Sequence, residues 1–310
     1  MRVFVAGGTG VIGRRLLPQL VAAGHEVTAT TRRPEKAELL SSLGATPAVL
    51  DALDEPAVVS AVRAAAPDVV MNQLTDLPQR YEPRKLGPYL RASARLRVDG
   101  TRHLLVGAQA VGTRRFIYQS IAFMYASSGP WVVDEDAPIA VDAPDPFGAS
   151  VRGTLKGERL TLEAGEIEGV VLRYGQLYGP GTYFAPDGYF ARQARKRQVP
   201  IVGGGAGMFS FLHVDDAASA AVCAVTRGRG VYNVVDDEPA PGREWIPVFA
   251  RAVRAPRPLR VPRFVASLMV GSWAARTLTD GRGASNSRAR TELGWRPRYP
   301  TWRDGLFDQP

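Results

Sequence analysis

One cysteine stands in 310 residues, only four of the 39 basic residues are lysines, and no apolar run reaches the roughly 18 residues of a membrane span. Each scarcity excludes something. The lone Cys223 rules out an intrachain disulfide and fits a reducing, cytoplasmic setting. It sits in Ala220-Ala221-Val222-Cys223-Ala224-Val225, the context of a small core residue. The start, Arg2-Val3-Phe4-Val5-Ala6, reads as a buried strand and not as a signal peptide, which needs a longer apolar stretch and a cleavage site. The net charge of +9 is not concentrated on one element with interleaved aromatics, as a nucleic-acid reader would have it. Its densest run, Arg192-Gln193-Ala194-Arg195-Lys196-Arg197, reads as a solvated helix face or the rim of an anionic-substrate site. Neither a membrane nor a nucleic acid is expected as partner; a small molecule is.

What is present is an ordinary globular composition, 45% hydrophobic and 22% charged, in a chain long enough for one large domain with an appended lobe. The first 120 residues alternate short apolar runs with amphipathic stretches. Strands are expected at 2–6, 26–31, 46–50, 68–72 and 115–119, with helices at 11–23, 34–43, 55–66 and about 89–112. That order predicts an α/β fold, a Rossmann-type doubly wound parallel sheet. Pro34 and Pro56 stand near helix starts, where a missing N–H is harmless, whereas Pro18 falls inside a helix. A helix at about 148–165 and a strand at Gly169–Arg173 follow. Proline and glycine then cluster at 179–188 and 200–207. The dinucleotide-binding core is expected over 1–174, with 206–238 returning to it. A smaller C-terminal substrate lobe would use 175–205 and 239–310, closing over the carboxyl ends of the strands.

Gly7-Gly8-Thr9-Gly10-Val11-Ile12-Gly13 joins the first strand to the first helix, the context a dinucleotide-binding turn requires. Glycine permits the tight turn, close approach of the pyrophosphate at Gly10, and packing of helix on strand at Gly13. The helix N-terminus supplies N–H groups and partial positive charge to phosphates. The second strand ends Thr30-Thr31-Arg32-Arg33, with no acid before Glu35. NAD enzymes usually place an acid there for the ribose 2′-hydroxyl, and a guanidinium matches a 2′-phosphate. NADP is therefore expected in preference to NAD. Asp51 stands where a carboxylate can accept the adenine amino group.

Further along come Asp51 with Asp54, Val98-Asp99-Gly100-Thr101, Tyr118-Gln119-Ser120, and Leu172-Arg173 with Tyr178-Gly179-Pro180-Gly181. His213-Val214-Asp215-Asp216, Tyr232-Asn233-Val234 and Glu292-Leu293-Gly294-Trp295 complete the series. In this order and spacing they resemble the extended branch of the short-chain dehydrogenase/reductase superfamily, the NAD(P)-dependent epimerases, dehydratases and reductases, over nearly the whole chain. The resemblance implies cofactor contacts at Gly7, Thr9, Gly10, Val11, Ile12, Gly13, Arg32, Arg33, Asp51, Ala52, Gln73, Lys156, Tyr174 and Leu177. It also implies that the His213 stretch is a structural junction with no metal, that Arg282-Gly283-Ala284-Ser285-Asn286 lies where relatives hold a substrate phosphate or carboxylate, and that two long helices can pair in a homodimer.

The family's chemistry rests on Tyr-x-x-x-Lys on one helix face, a Ser or Thr, and often an Asn; the lysine lowers the phenol pKa and grips the nicotinamide ribose. Here Lys156 matches the lysine, but Arg152 stands four residues earlier and exchanges no protons near neutral pH. Counted from Tyr125, the Ser/Thr position falls on Ile121. Ser120 is one residue early and faces the other way unless a bulge restores it. The asparagine position holds Arg97. Three readings stay open: an oxidoreductase or epimerase with a substitute acid (Tyr125, Tyr178 or Ser120), a non-redox dehydratase, isomerase or cyclase, and an NADP(H)-sensing binding protein. Lys156, Arg152, Ser120 and Tyr125 are the catalytic candidates. Asp76, Arg97, Tyr178 and Arg282 are the substrate-binding ones, with Arg97 and Arg152 expected to hold an anionic or strongly polar oxygen.

Overall fold

The structure, a computed structural model, describes residues 1–78 and 86–307. A parallel sheet of seven strands forms the centre. Its first half is β1 (Arg2–Ala6), α1 (Gly13–Ala22), β2 (Glu26–Thr31), α2 (Ala37–Ser42), β3 (Thr46–Val49), α3 (Glu55–Ala65) and β4 (Val69–Asn72). α4 (Leu86–Arg95), α5 (Thr101–Ala110), β5 (Arg115–Ile121), β6 (Val132–Val133), α6 (Phe147–Leu162) and β7 (Glu168–Tyr174) follow. After them come β8 (Gln176–Tyr178), α7 (Tyr189–Arg195), β9 (Ile201–Val202), β10 (Met208–Phe209), β11 (Phe211–His213), α8 (Val214–Ala224) and β12 (Gly230–Val234). The strand order is β12-β7-β5-β4-β1-β2-β3. It reverses between β1 and β4, the switch point where open α/β sheets leave a crevice beyond the strand ends.

Both faces of the sheet are covered, which is why the inner strands β1, β4, β5 and β7 are buried almost throughout and rich in apolar residues, while the edge strand β3 is mostly exposed. Val3, Val5, Ile117, Val170 and Leu172 face α1 and α8; Phe4, Val70, Phe116 and Val171 face α3 and α5. Local signals explain the ends of these helices. α3 starts where the Asp54 carboxylate accepts the Ala57 N–H at 3.2 Å, with Pro56 in the first turn, and stops at Ala66, whose φ is +39°. Pro18 lies inside α1 on its exposed side, where water can satisfy the carbonyl that proline leaves unpaired. A third cluster, aromatic in character, joins Tyr178, Phe184, Phe211, Trp245, Phe249 and Trp302 beyond the strand ends. No helix among the described residues is long and apolar enough to cross a membrane.

Two expected helices differ. The one expected over 34–43 divides at Ala37, because the 3-10 turn Pro34–Lys36 precedes α2. The one expected over 89–112 is broken by a π turn at Leu96–Gly100 between α4 and α5. Asn72, the last residue of β4, is buried beside that break. Its Nδ2 donates to Thr101 Oγ1 at 2.9 Å and its Oδ1 accepts the Leu74 N–H at 3.0 Å, so it ties the helix to the end of β4.

Candidate cofactor and substrate site

A cavity of about 980 Å³ opens at the carboxyl ends of β1, β2, β4, β5 and β7. Its floor is the glycine turn. Gly7 has φ +95°, and its N–H donates to Thr30 Oγ1 at 3.1 Å. A β-carbon on Gly13 would lie 2.5 Å from the carbonyl oxygens of Gly7 and Gly8, so only glycine lets α1 start this close to the turn. Gly10 is freer, with its nearest neighbour at 3.2 Å. α1 carries neither a side-chain cap nor an acid in its first turn, which leaves its amide end facing the cavity.

One end of the cavity is cationic. Arg14, Arg32, Arg33 and Lys36 line it, opposite Asp51 and Ala52. Burial pushes the Lys36 ammonium pKa down, and the charges of Arg33 and Arg14 push it further, with Glu35 opposing. Arg32 is the cation of this group that already has an acid, Asp76, at 2.8 Å. Asp76 is therefore spent on Arg32 and does not line the cavity. Arg14 and Lys36 were missed from sequence; the signal available was that both stand within one turn of residues assigned to the cofactor.

The other end is lined by Gln73, Arg97, Gln119, Ser120, Ile121, Phe123, Tyr174 and Leu177. The Gln73 side chain and the Tyr174 hydroxyl are buried there close enough to interact with each other, and among the described residues neither has another hydrogen-bond partner. Buried polar groups are seldom left so, and a ligand with donors and acceptors is what such a wall accommodates. Burial raises the Tyr174 phenol pKa far above its usual value.

Ser120 does not regain the family geometry. β5 runs beside β7 without a bulge through Ser120↔Arg173 and Ile121↔Tyr174. The Ser120 hydroxyl therefore points toward α6 and donates to Glu158 Oε1 at 2.5 Å. Glu158, 4% exposed, also accepts two bonds from Arg173, at 2.9 and 2.7 Å. Arg173 donates on to the Tyr125 hydroxyl at 3.1 Å, and that hydroxyl donates to Asn233 Oδ1 at 2.7 Å. Tyr125 is thus a member of a buried network outside the cavity, its phenol pKa raised by burial against the opposing Arg173 charge.

Other candidates lie elsewhere. Lys156 and Arg152 are exposed, four residues apart on the outer side of α6, and neither lines the cavity. The face of α6 turned inward is Gly153, Thr154, Gly157, Glu158 and Thr161; Gly157 lies against the Tyr118 ring and Gly153 against Ala94, where no long side chain fits. Arg152 instead binds Asp145 at 2.6 Å and the Val141 carbonyl at 3.3 Å. Tyr178 is fully buried, its hydroxyl 3.4 Å from the Thr301 carbonyl and its ring on His213. Arg282 stacks over Trp131 at 4.5 Å and bonds the Ser128 and Asp280 carbonyls. Residues 284–287 border a separate hollow of about 190 Å³ beside Asp236 and Asp237. His213 Nδ1 accepts the Asp215 N–H, and Asp216 accepts those of Arg298 and Tyr299, which is a structural junction. Among the described residues no group of three metal-ligating side chains converges.

A Rossmann sheet with a glycine turn at its switch point defines a dinucleotide-binding protein. The NAD dependent epimerase/dehydratase family model matches residues 3–234, and the chain belongs to that family. It is 49% identical over 309 residues to a 3-diazoavenalumate denitrifying reductase of a Streptomyces species, covering 99% of each chain. It is 29% identical over 252 residues to a Stigmatella aurantiaca 4-hydroxy-2-methyl-3-oxo-4-farnesyl-3,4-dihydroquinoline-1-oxide ketoreductase, covering 79% of this chain and 71% of that one. The human epimerase family protein SDR39U1, solved with NADPH, shares the fold at TM-score 0.75 and 23% identity, covering 99% and 98%. The protein is an enzyme of the oxidoreductase/epimerase type that uses a nicotinamide cofactor. The buried Gln73 and Tyr174 groups, which have little beside each other to bond, and the glycine turn fit such a group.

Gly10→Val should abolish NADPH binding measured by calorimetry while the thermal unfolding transition is retained, because its side chain enters the cavity and meets little protein. Undiminished binding in the folded variant would show that the turn does not hold the cofactor.

Proposed function

We propose that the protein is an NADPH-dependent reductase whose substrate accepts hydride without taking a proton from a side chain. The observation that carries this is the committed Ser120 hydroxyl. Its one O–H is donated to Glu158, so it has no proton to offer toward the cavity. Ser and Tyr of the family normally donate to a carbonyl oxygen as it gains negative charge. α6 carries no Tyr-x-x-x-Lys pair, since Arg152 stands four residues before Lys156, Lys156 is on the outer face, and burial makes the Tyr174 phenol a weaker acid than a free one. Tyr183, which also lines this end, donates to the Pro78 carbonyl.

A diazo-bearing carbon suits such a pocket, and the 49% identical relative is named for a reductase that removes nitrogen from a diazo compound. Bound NADPH supplies hydride. The new C–H bond forms at the diazo carbon, the C–N bond breaks with its electron pair leaving in dinitrogen, NADPH is oxidised to NADP+, and no proton is consumed. What the chain contributes is orientation by Gln73 and Tyr174 and apolar walls at Leu96, Ile121 and Phe123 that exclude water.

Arg14, Arg33 and Lys36 support NADPH over NADH. A charge-assisted contact to phosphate contributes about 1.5–3 kcal/mol, so the preference should be about tenfold to a hundredfold. The double variant Arg33→Ala, Lys36→Ala should lose most of it in a fluorescence titration; equal affinities in the unaltered protein would sink the assignment.

With 3-diazo-4-hydroxybenzoate and NADPH deuterated at both C4 positions, the product should carry one deuterium at the former diazo carbon, with dinitrogen released. Product lacking deuterium, or no oxidation of NADPH, would show that the protein is not this kind of reductase.

A further inference from the structure

Arg97 is 5% exposed and lines the substrate end of the cavity. Its surroundings do not balance its charge. No carboxylate among the described residues lies within ion-pair distance of it. The acid near the same Tyr118 phenol, Glu158, is already committed to Arg173 and Ser120. Among the described residues its guanidinium meets only neutral groups, the Gln119 carbonyl at a long 3.4 Å from Nη1 and the Tyr118 phenol, and Nε has no partner. A buried, uncompensated guanidinium is destabilising in the empty protein and is retained where something else brings the counter-charge.

A second feature is independent of the charge. Arg97 sits within the π turn Leu96–Gly100, the break that separates α4 from α5. Such turns shift the side chains that follow to a new face and recur at functional sites. The Thr101 hydroxyl donates to the Arg97 carbonyl and itself accepts from Asn72, so the break is fastened to the end of β4. Cofactor phosphates are offered donors and charge of their own by the glycine turn and by Arg14, Arg33 and Lys36. The counter-charge at Arg97 therefore comes from the substrate.

We infer that Arg97 is the substrate's anion receptor, and that the enzyme takes a molecule with an apolar body and one anionic oxygen, a carboxylate or a phenolate. Leu96, Ile121, Phe123 and Phe184 line the same cavity and suit the apolar body. This rests on the reductase reading for the word substrate, but its test involves no turnover. A guanidinium fork grips an anionic oxygen with two charge-assisted bonds, which orients the molecule as well as holding it.

The test is titration calorimetry on protein saturated with NADP+, using 4-methoxycinnamate, 4-nitrophenolate and neutral methyl 4-methoxycinnamate. At least one anion should bind at least tenfold tighter than the ester; 4-methoxycinnamate identifies a carboxylate, 4-nitrophenolate a phenolate. Arg97→Met should erase that advantage and leave NADP+ affinity unchanged. The ligand-free Arg97→Met protein should melt at the same temperature as the unaltered one or higher, since an unpaired charge has been replaced by an apolar chain of similar length. An ester bound as tightly as both anions would overturn the inference. So would an Arg97→Met protein that melts lower or fails to fold, because the arginine would then be structural. If hydride chemistry fails while this pattern holds, the reductase reading falls and the anion receptor stands.

Discussion

The buried pair of Glu158 and Arg173 decides what this active site can be. Two charges, 4% and 5% exposed, meet in a bidentate arrangement that fastens α6 to β7. Breaking such a pair from one side costs about 3–5 kcal/mol, because the remaining charge is stranded. The pair therefore dictates its neighbours. It accepts the Ser120 hydroxyl's hydrogen bond on one side and holds the Tyr125 hydroxyl on the other, so two groups with the chemistry of proton donors serve as ties between strands and helix. The same register turns Glu158 inward on α6 and, with Gly153 and Gly157 beside it, sends Lys156 and Arg152 outward.

Much of the fold was legible because burial on both sheet faces leaves unbroken apolar runs and the crossovers leave amphipathic ones. The glycine turn was legible for a steric reason: Gly13 has no room for a β-carbon. The cofactor candidates from Gly7 to Leu177, Lys156 excepted, line one cavity with Arg97 and Ser120. The catalytic end was not legible, and the cause is helix rotation. Matching Lys156 to a family lysine fixes a spacing along the helix, but the face turned inward is chosen by what fits against Tyr118 and Ala94, which is glycine. Small residues at 153 and 157 carried that signal. The π turn could not be read, since an extra residue in one helical turn leaves little trace in hydrophobic period. Asp76 and Tyr178 are placed by position alone, and the partners that divert them, Arg32 and Thr301, are distant in sequence.

A family that moves hydride with a tyrosine proton can lose the proton donor and keep the rest only if the acceptor needs no proton. The cofactor turn, the cationic adenosine end and the polar groups of Gln73 and Tyr174 persist; the acid does not. An electrophile that expels dinitrogen satisfies that condition. On the proposed reading, Arg97 holds the substrate's charge in a pocket that has little other means of orienting it.

The central claim is that the pocket contributes no proton to the reaction, and the most direct measurement is the single-turnover rate of NADPH oxidation by 3-diazo-4-hydroxybenzoate against pH and in D2O. A side-chain acid or base shows as a tenfold change per pH unit beyond its pKa and as a slowing in D2O. The account predicts a flat rate from about pH 6 to about pH 8.5 and the same rate in D2O, as expected where no general acid acts. A rate that falls in proportion to proton concentration, with a solvent isotope effect above about 2, would mean that a group in this cavity donates the proton.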